Sequence, residues 1–321
     1  MSRIKFLSFI IFIFFGLLTG LISQWPDNKL HLIACNVGQG DAFLLTQGSS
    51  QVLVDGGPND QVEQCLSGHL PFWDRTIELV VATHPDKDHI AGLVNVIENY
   101  KVMSFVGINE ANNTTVFANL RAKIQEKRVP VHIAQKGEQV LVGNIKLKVL
   151  SPEKSDKNFL VWSASGSDLA SDPSADKQVL GGSTNSSSEG SNDDSVVLRA
   201  SFGEFDALLS GDITSVVEKQ LVRDQDLSGI EVLKVSHHGS KYASSQEFLE
   251  AVKPKLAVIG VGKNQWGHPA EEVLEKLRNL DIEILRTDTD GEIEVVSDGK
   301  GWYIKDMRWV ENRRQKTENG N

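Results

Sequence analysis

The sequence predicts an α+β protein, a four-layer αββα sandwich preceded by one N-terminal transmembrane helix. Three observations predict it. A run at 6–22 is almost wholly apolar and about as long as a hydrocarbon core is thick. Beyond it, short apolar runs read as strands early in each half of the chain, and amphipathic helices follow. Blocks of that kind bury their apolar faces as two packed sheets flanked by helices. Third, a chain of 321 residues, 40% of them hydrophobic, can bury the core this needs.

Residues 1–25 read as a membrane anchor or signal segment. Arg3 and Lys5 precede the apolar run, which only Ser8, Gly16, Thr19 and Gly20 interrupt. The basic flank keeps the N-terminus in the cytoplasm and exports the rest. A cleaved signal peptide has the same order of features. The run is long for a signal core, and no Ala-x-Ala precedes Trp25. The anchor is therefore preferred, with the domain extracytoplasmic; secretion after cleavage is the alternative. No polar helical face marks the run as a core helix.

Residues 28–308 read as one domain. Strands are expected at 31–37, 42–46, 51–54, 78–83 and 102–106, with helices at 89–100 and 113–127 and a strand at 145–150. The stretch 155–193 is rich in Ser, Gly, Asp and Asn. It reads as a disordered insertion, since it buries too little to offset ordering. Strands resume at 195–200 and 207–209. Helices at 214–222, 245–252 and 269–280 then alternate with strands at 230–235, 256–261 and 282–285, and a strand at 292–296 follows. Asp288 to Gly291 reads as a hairpin turn, and 309–321 as a polar tail.

Composition narrows the function. The formal net charge of -10 does not suggest a broad, sequence-blind surface for nucleic acid. A small site whose acids are neutralised by metal escapes that objection. The two cysteines, Cys35 and Cys65, cannot build a zinc finger. They read as small buried hydrophobes ahead of the alternative, one disulfide.

The chemistry concentrates at strand ends. Thr83-His84-Pro85-Asp86-Lys87-Asp88-His89 puts four metal-competent side chains at a strand-to-helix corner. Asp212 follows another apolar strand; capping the next helix is its plain alternative. His237 and His238 follow a third. Adjacent histidines point different ways, so one suits a metal and the other a substrate. Gly38-x-Gly40 lacks the third glycine of a dinucleotide fingerprint and reads as a loop passing close to the site. Ser240, Lys241 and His268 are candidates to contact a phosphate or leaving group, with a capping or packing role as the equal alternative for His268. His31, His69 and His132 read as surface or packing residues.

In order, these motifs resemble the extracellular metallo-β-lactamase-like domain of the ComEC family of competence DNA-uptake proteins. The matching stretches begin with Asn36-Val37-Gly38-Gln39-Gly40-Asp41-Ala42, Val54-Asp55-Gly56-Gly57, the His84–His89 cluster and Asn192-Asp193-Asp194-Ser195. They continue with Ser210-Gly211-Asp212, Ser236-His237-His238-Gly239-Ser240, Gly267-His268-Pro269 and Arg286-Thr287-Asp288. The resemblance spans about 30–303. The family also carries a multi-helix channel, whereas one N-terminal segment alone reads as a span here. Transport itself is therefore not expected of this chain, and a separate DNA-uptake channel protein is a candidate partner.

The resemblance implies a metallo-β-lactamase fold and a site map. His84, Asp86 and the Asn192/Asp193 turn surround one metal, with Asp193 as ligand. Asp88, His89 and His237 surround a second, and Asp212 bridges. His237 is preferred to His238 as ligand because it comes first after the strand. Asp88, His238 and His268 are the catalytic candidates, and Gln39, Asp41, Ser240 and Lys241 the substrate-binding ones. Asp55 and Asn192 support the site. Asn36 stands where the family more often has Asp.

Lactamases of this fold carry H-x-H-x-D-H. Here Asp86 replaces the second His, and an Asn/Asp turn replaces the third-motif His. Harder oxygen ligands favour Mn²⁺ or Mg²⁺, with Zn²⁺ as the alternative, at one or two ions per chain. Such a site suits a metal-dependent phosphodiesterase or nuclease acting on single-stranded DNA. The alternatives are a hydrolase of another ester or lactone, or a non-catalytic, metal-stabilised binding module.

Overall fold

A computed structural model describes residues 10–12, 25–107, 114–153 and 192–305. In chain order the first half contains β1 (Leu30–Ala34), β2 (Phe43–Gln47), β3 (Ser50–Val54), α1 (Gln61–His69), β4 (Thr76–Ile77) and β5 (Leu79–Val81). It continues with α2 (Lys87–Asn99), β6 (Lys101–Val102), β7 (Phe105–Gly107), α3 (Thr115–Lys127) and β8 (Val131–Ile133). Then come β9 (Gln139–Val142), β10 (Ile145–Ser151), β11 (Val197–Phe202), β12 (Phe205–Leu209), α4 (Ser215–Asp224) and β13 (Val232–Lys234). The chain closes with α5 (Gln246–Val252), β14 (Leu256–Ile259), α6 (Glu271–Asn279), β15 (Glu283–Arg286), α7 (Thr287–Asp290), β16 (Ile293–Ser297) and β17 (Trp302–Ile304).

Two mixed sheets form. One runs β17-β16-β1-β2-β3-β5-β7-β8, the other β15-β14-β13-β12-β11-β10-β9. Strand alternation explains the four layers. In β1, Leu30, Leu32 and Ala34 enter the core between the sheets, while Ile33 faces the helices. Leu198, Leu209 and Val258 repeat the inward face in the second sheet; Val197, Leu208 and Ala257 face its helices. Ile90, Leu93 and Ile97 of α2 pack on the first sheet, and Val217 and Leu221 of α4 on the second. Both faces of most strands are therefore covered, which is why they read as continuous apolar runs.

The cysteine expectation is corrected. Cys35 and Cys65 are bridged, with their Cα atoms 5.7 Å apart. The bond joins the end of β1 to α1, a helix that the sequence reading missed. Val62, Cys65 and Leu66 of α1 are buried, a single i, i+3, i+4 turn of stripe in a nine-residue helix. The hairpin turn expected at 288–291 is also corrected: Thr287–Asp290 is a helical turn. The buried Thr287 hydroxyl bonds the Val261 N–H and carbonyl, and Asp290 accepts from the Arg286 N–H, so the chain coils there.

Among the described residues no helix is long and apolar enough to cross a membrane. The expected transmembrane helix lies almost wholly outside them, as do nearly all of the 155–193 insertion and all of the 309–321 tail.

Candidate metal centre

Parallel pairings β3–β5, β12–β13 and β13–β14 bring several strand ends to one edge of the sandwich. Asp55 follows β3, Asp88 and His89 open α2, Asp212 follows β12, and His238 follows β13. Close backbone packing fixes α2 there. A Cβ on Gly92 would lie 2.0 Å from the Gly56 carbonyl oxygen, and one on Gly40 would lie 2.2 Å from that of Asp88. The Asp41 N–H donates to the Asp88 carbonyl at 3.2 Å, and the Gly56 N–H to that of His89 at 2.7 Å. The glycine loop does pass against the site. His237 and His238 both take left-handed backbone, φ 49° and 52°, which turns the strand sharply and separates their rings.

Asp41, His89, Asp212 and His238 each offer one ligand atom, all within 4.8 Å of one another. The contacts divide this group. His238 Nδ1 lies 2.7 Å from the Gly260 carbonyl, so it must donate there. His89 Nδ1 donates to Asp55 Oδ2 at 2.8 Å. Both Nε2 atoms therefore present lone pairs when the rings are neutral, and they face each other at 3.3 Å. Asp212 Oδ2 lies 3.3 Å from one Nε2 and 3.2 Å from the other, and Asp88 Oδ2 lies 3.3 Å from that of His238. A tetrahedral ion with bonds of roughly 2.0–2.1 Å has ligand–ligand edges of roughly 3.3–3.4 Å. Two imidazole lone pairs, two carboxylates and edges of that length fit a divalent metal. The Nδ1 anchors are the outer hydrogen bonds that such ligands need.

Asp41 stands behind this cradle. Its oxygens lie 3.9 and 3.6 Å from the Nδ1 atoms of His89 and His238. It pairs instead with buried Lys234, whose Nζ is 2.5 Å from Asp41 and 3.0 Å from Asp212 Oδ1. The Lys234 ammonium also donates to the Gly211 carbonyl. Lys234 shares the inward face of β13 with Val232, so its ammonium reaches the interior edge where the ligands meet.

Charge sets the protonation pattern. Burial alone would lower both imidazoles. Asp212 and Asp55 outweigh it and hold His89 well above its ordinary value. Asp212 and Asp41 likewise hold His238 up at about 10. Burial would raise Asp212, but His238 and Lys234 keep it well below the carboxylate range. His84 is different: burial, then the His89 charge, pushes it well below its ordinary value. The Thr83 hydroxyl spends its proton on Asp55 at 2.7 Å and so accepts from His84 Nδ1 at 3.0 Å. Buried His84 Nε2 is left without a hydrogen-bond partner, 3.8 Å from Asp86 Oδ2.

The expected residues thus divide. His84, Asp86, Asp88, His89 and Asp212 converge, and His238 joins them in place of the preferred His237. His237 instead lies beside Asn192, 3.5 Å from its amide nitrogen, and 5.6 Å ring to ring from His268. Asp193 departs from the ligand set: its Oδ1 accepts from the N–H and hydroxyl of Thr214 at the start of α4. Asp41, expected to bind substrate, is buried and ion-paired. Gln39 accepts from the Gly262 N–H at 3.2 Å. Ser240 is buried, and Lys241 lies over the Tyr242 ring at 5.1 Å. Exposed Asn36 caps the Gly38 N–H at 3.4 Å and touches no site residue in doing so. Asp55, expected beside the site, accepts from His89 Nδ1 at 2.8 Å. His268 borders it, its imidazole pushed down to about 4 by burial and by His237 and His238. Lys234 is the residue sequence reasoning missed. Its signal was a lone lysine inside the apolar stretch Val232-Leu233-Lys234-Val235.

The model that describes the metallo-beta-lactamase superfamily matches residues 35–263. "ComE operon protein 3" of Bacillus subtilis is 28% identical over 285 residues, covering 81% of this chain and 32% of that protein. "Competence protein ComA" of Neisseria gonorrhoeae is 26% identical over 288 residues, covering 87% and 34%. The chain thus spans about a third of the length of these relatives. Among solved structures, the metallo-beta-lactamase fold protein YhfI from Bacillus subtilis superposes with a TM-score of 0.51 at 11% identity, over 83% of this chain and 99% of that one. That likeness speaks for the fold alone. The chain belongs to the metallo-β-lactamase superfamily, whose fold serves metal-dependent hydrolysis, and its homologues there include ComEC-like competence proteins.

Proposed function

We propose that this chain is an exported, membrane-anchored metallohydrolase that cuts phosphodiesters, with single-stranded DNA as the preferred substrate class. The observation that carries it is the His89/His238/Asp212/Asp88 cradle, whose ligand edges measure 3.2–3.3 Å. A divalent ion held by His89, His238, Asp212 and Asp88 would supply Lewis acidity, for activating water and for drawing charge from phosphate oxygens. The protein's own residues do the rest. Asp55 and the Gly260 carbonyl orient the two imidazoles, and Lys234 orients Asp212 through the oxygen that faces away from them. His268, neutral at pH 7, accepts a hydrogen bond or proton at the rim rather than acting as an acid. Two nitrogens and two carboxylates suit Mn²⁺ or Zn²⁺ better than Mg²⁺. The competence-named relatives point toward DNA and a partner channel. The net charge of -10 favours a short or single strand over a long duplex. The disulfide supports an oxidising location outside the cytoplasm, and the basic flank before the apolar run supports anchoring.

The test is hydrolysis of single-stranded DNA, duplex DNA and a small chromogenic phosphodiester by the purified chain. Each assay is run metal-free and with Mn²⁺, Mg²⁺ or Zn²⁺, beside an Asp88→Ala/His89→Ala variant. Metal-dependent cleavage of single strands, lost in the variant, is expected. A folded, metal-loaded chain that cuts none of the three sinks the nuclease reading. Hydrolysis of carboxylic esters or lactones in its place would favour that substrate class.

A further inference from the structure

The metal-binding edge has an opposite. Trp25, Phe72 and Trp73 lie at the other ends of the first-sheet strands, and their side chains are unusually bare. They are 75%, 67% and 44% exposed. They form one patch: the Trp25 and Trp73 rings are 6.5 Å apart, and Phe72 meets Trp73 edge-on at 4.8 Å. Met103, 46% exposed, is tied into the same edge through its N–H on the Ile77 carbonyl. Exposed Arg75 lies two residues beyond Trp73, past Asp74, with its guanidinium over Tyr100. Contiguous aromatic surface of this kind is rare where a protein meets water alone. Rings with an apolar body and a polar edge, flanked by a long cationic side chain, suit the headgroup layer of a bilayer.

Position along the chain selects that occupant. Trp25 lies three residues beyond Ile22, where the apolar run ends. The patch therefore begins where a membrane-spanning segment would emerge. Just beyond Trp25, the Asp27 carbonyl accepts from the Gly48 N–H at 3.0 Å, seating the chain on the β2–β3 turn beside β1. Strand β1 has five residues, which places its metal-side end roughly 17 Å further along.

We infer that Trp25, Phe72 and Trp73 form a docking surface that seats the domain on the lipid headgroup layer, with the metal centre facing away from the membrane. The inference rests on the membrane-anchored reading and adds an orientation to it. The docked domain presents its site to substrate arriving from the aqueous side, and it is held rather than tumbling on a tether.

The full chain can report this. Both of its cysteines are in the bridge, so one introduced cysteine takes a fluorophore selectively. Phe72→Cys and, at the metal edge, Trp266→Cys are labelled and reconstituted in phosphatidylcholine–phosphatidylglycerol vesicles carrying headgroup-region spin-labelled lipid. Quenching severalfold greater at 72 than at 266 is expected, and it should fall when Trp25 and Trp73 are both changed to Ser. Equal quenching at the two positions, in a chain that floats with the vesicles, overturns the docking surface and leaves the anchor standing. Quenching at 72 that ignores the two Ser substitutions overturns it as well. A chain that does not float with the vesicles overturns the anchor and the docking surface together.

Discussion

Lys234 shows how much one side chain can hold. Its ammonium stands between Asp41 and Asp212, all three buried. Removing one partner of a buried pair strands the others without water or counter-charge. Lys234→Met is therefore expected to lower the metal-free stability by about 3–5 kcal/mol, read from urea melts in chelator. A change within experimental error would mean that Asp41 and Asp212 find other partners. Asp193 gives the opposite case. Its carboxylate serves Thr214, so Asp193→Ala should destabilise by about 1 kcal/mol, as a lost helix cap does, and leave Mn²⁺ affinity by calorimetry unchanged. A tenfold loss of affinity would return Asp193 to the ligand set. The residues legible in sequence were those whose chemistry has few other uses: His84, Asp88, His89 and Asp212. The choice between His237 and His238 was not legible. It depends on two consecutive left-handed residues, a backbone state that no side-chain pattern announces.

Among the elements, the link between β1 and α1 is the one most open to test. The bridged cysteines are separated by 30 residues, and closing a loop of that size stabilises by roughly 3–4 kcal/mol through the unfolded chain. A Cys35→Ser/Cys65→Ser variant should melt well below the native chain, and reductant should lower the native melt toward it. Equal melting points would show that the bridge closes no costly loop. The same region marks the limit of reading elements from sequence. Strands buried on both faces announced themselves, since β2, β3 and β12 are apolar runs. α1 did not, because it leans on the sheet through a few residues and a covalent bond. β4 and β6 are two residues long each and owe their existence to each other across some distance in sequence.

At the scale of the molecule, the chain closes on itself: β16 returns from the far end to pair with β1. Glu294 of β16 accepts from His31 of β1 at 2.6 Å and ion-pairs with Lys305 at 2.8 Å. Burial would raise this carboxyl, but His31 and Lys305 prevail and hold it down at about 2. A depressed carboxyl stabilises above its unfolded value, near 4.3, and the gain disappears as pH falls toward 2. Glu294→Gln should therefore lower Tm at pH 7, with the gap to the native chain closing between about pH 4 and pH 2. A gap that persists at pH 2 would point to packing rather than charge. The two-sheet architecture was readable because short apolar runs followed by helix blocks recur in both halves. The pairing of β1 with β16 was not, since no local pattern encodes it. The cradle draws two donors from the connection after β5 and two from those after β12 and β13, one pair from each sheet. An ion seated there joins the halves of the sandwich as a rivet joins two plates. Under a sideways load, the filled domain would resist the slippage of one plate over the other, and the emptied one would yield first along that seam.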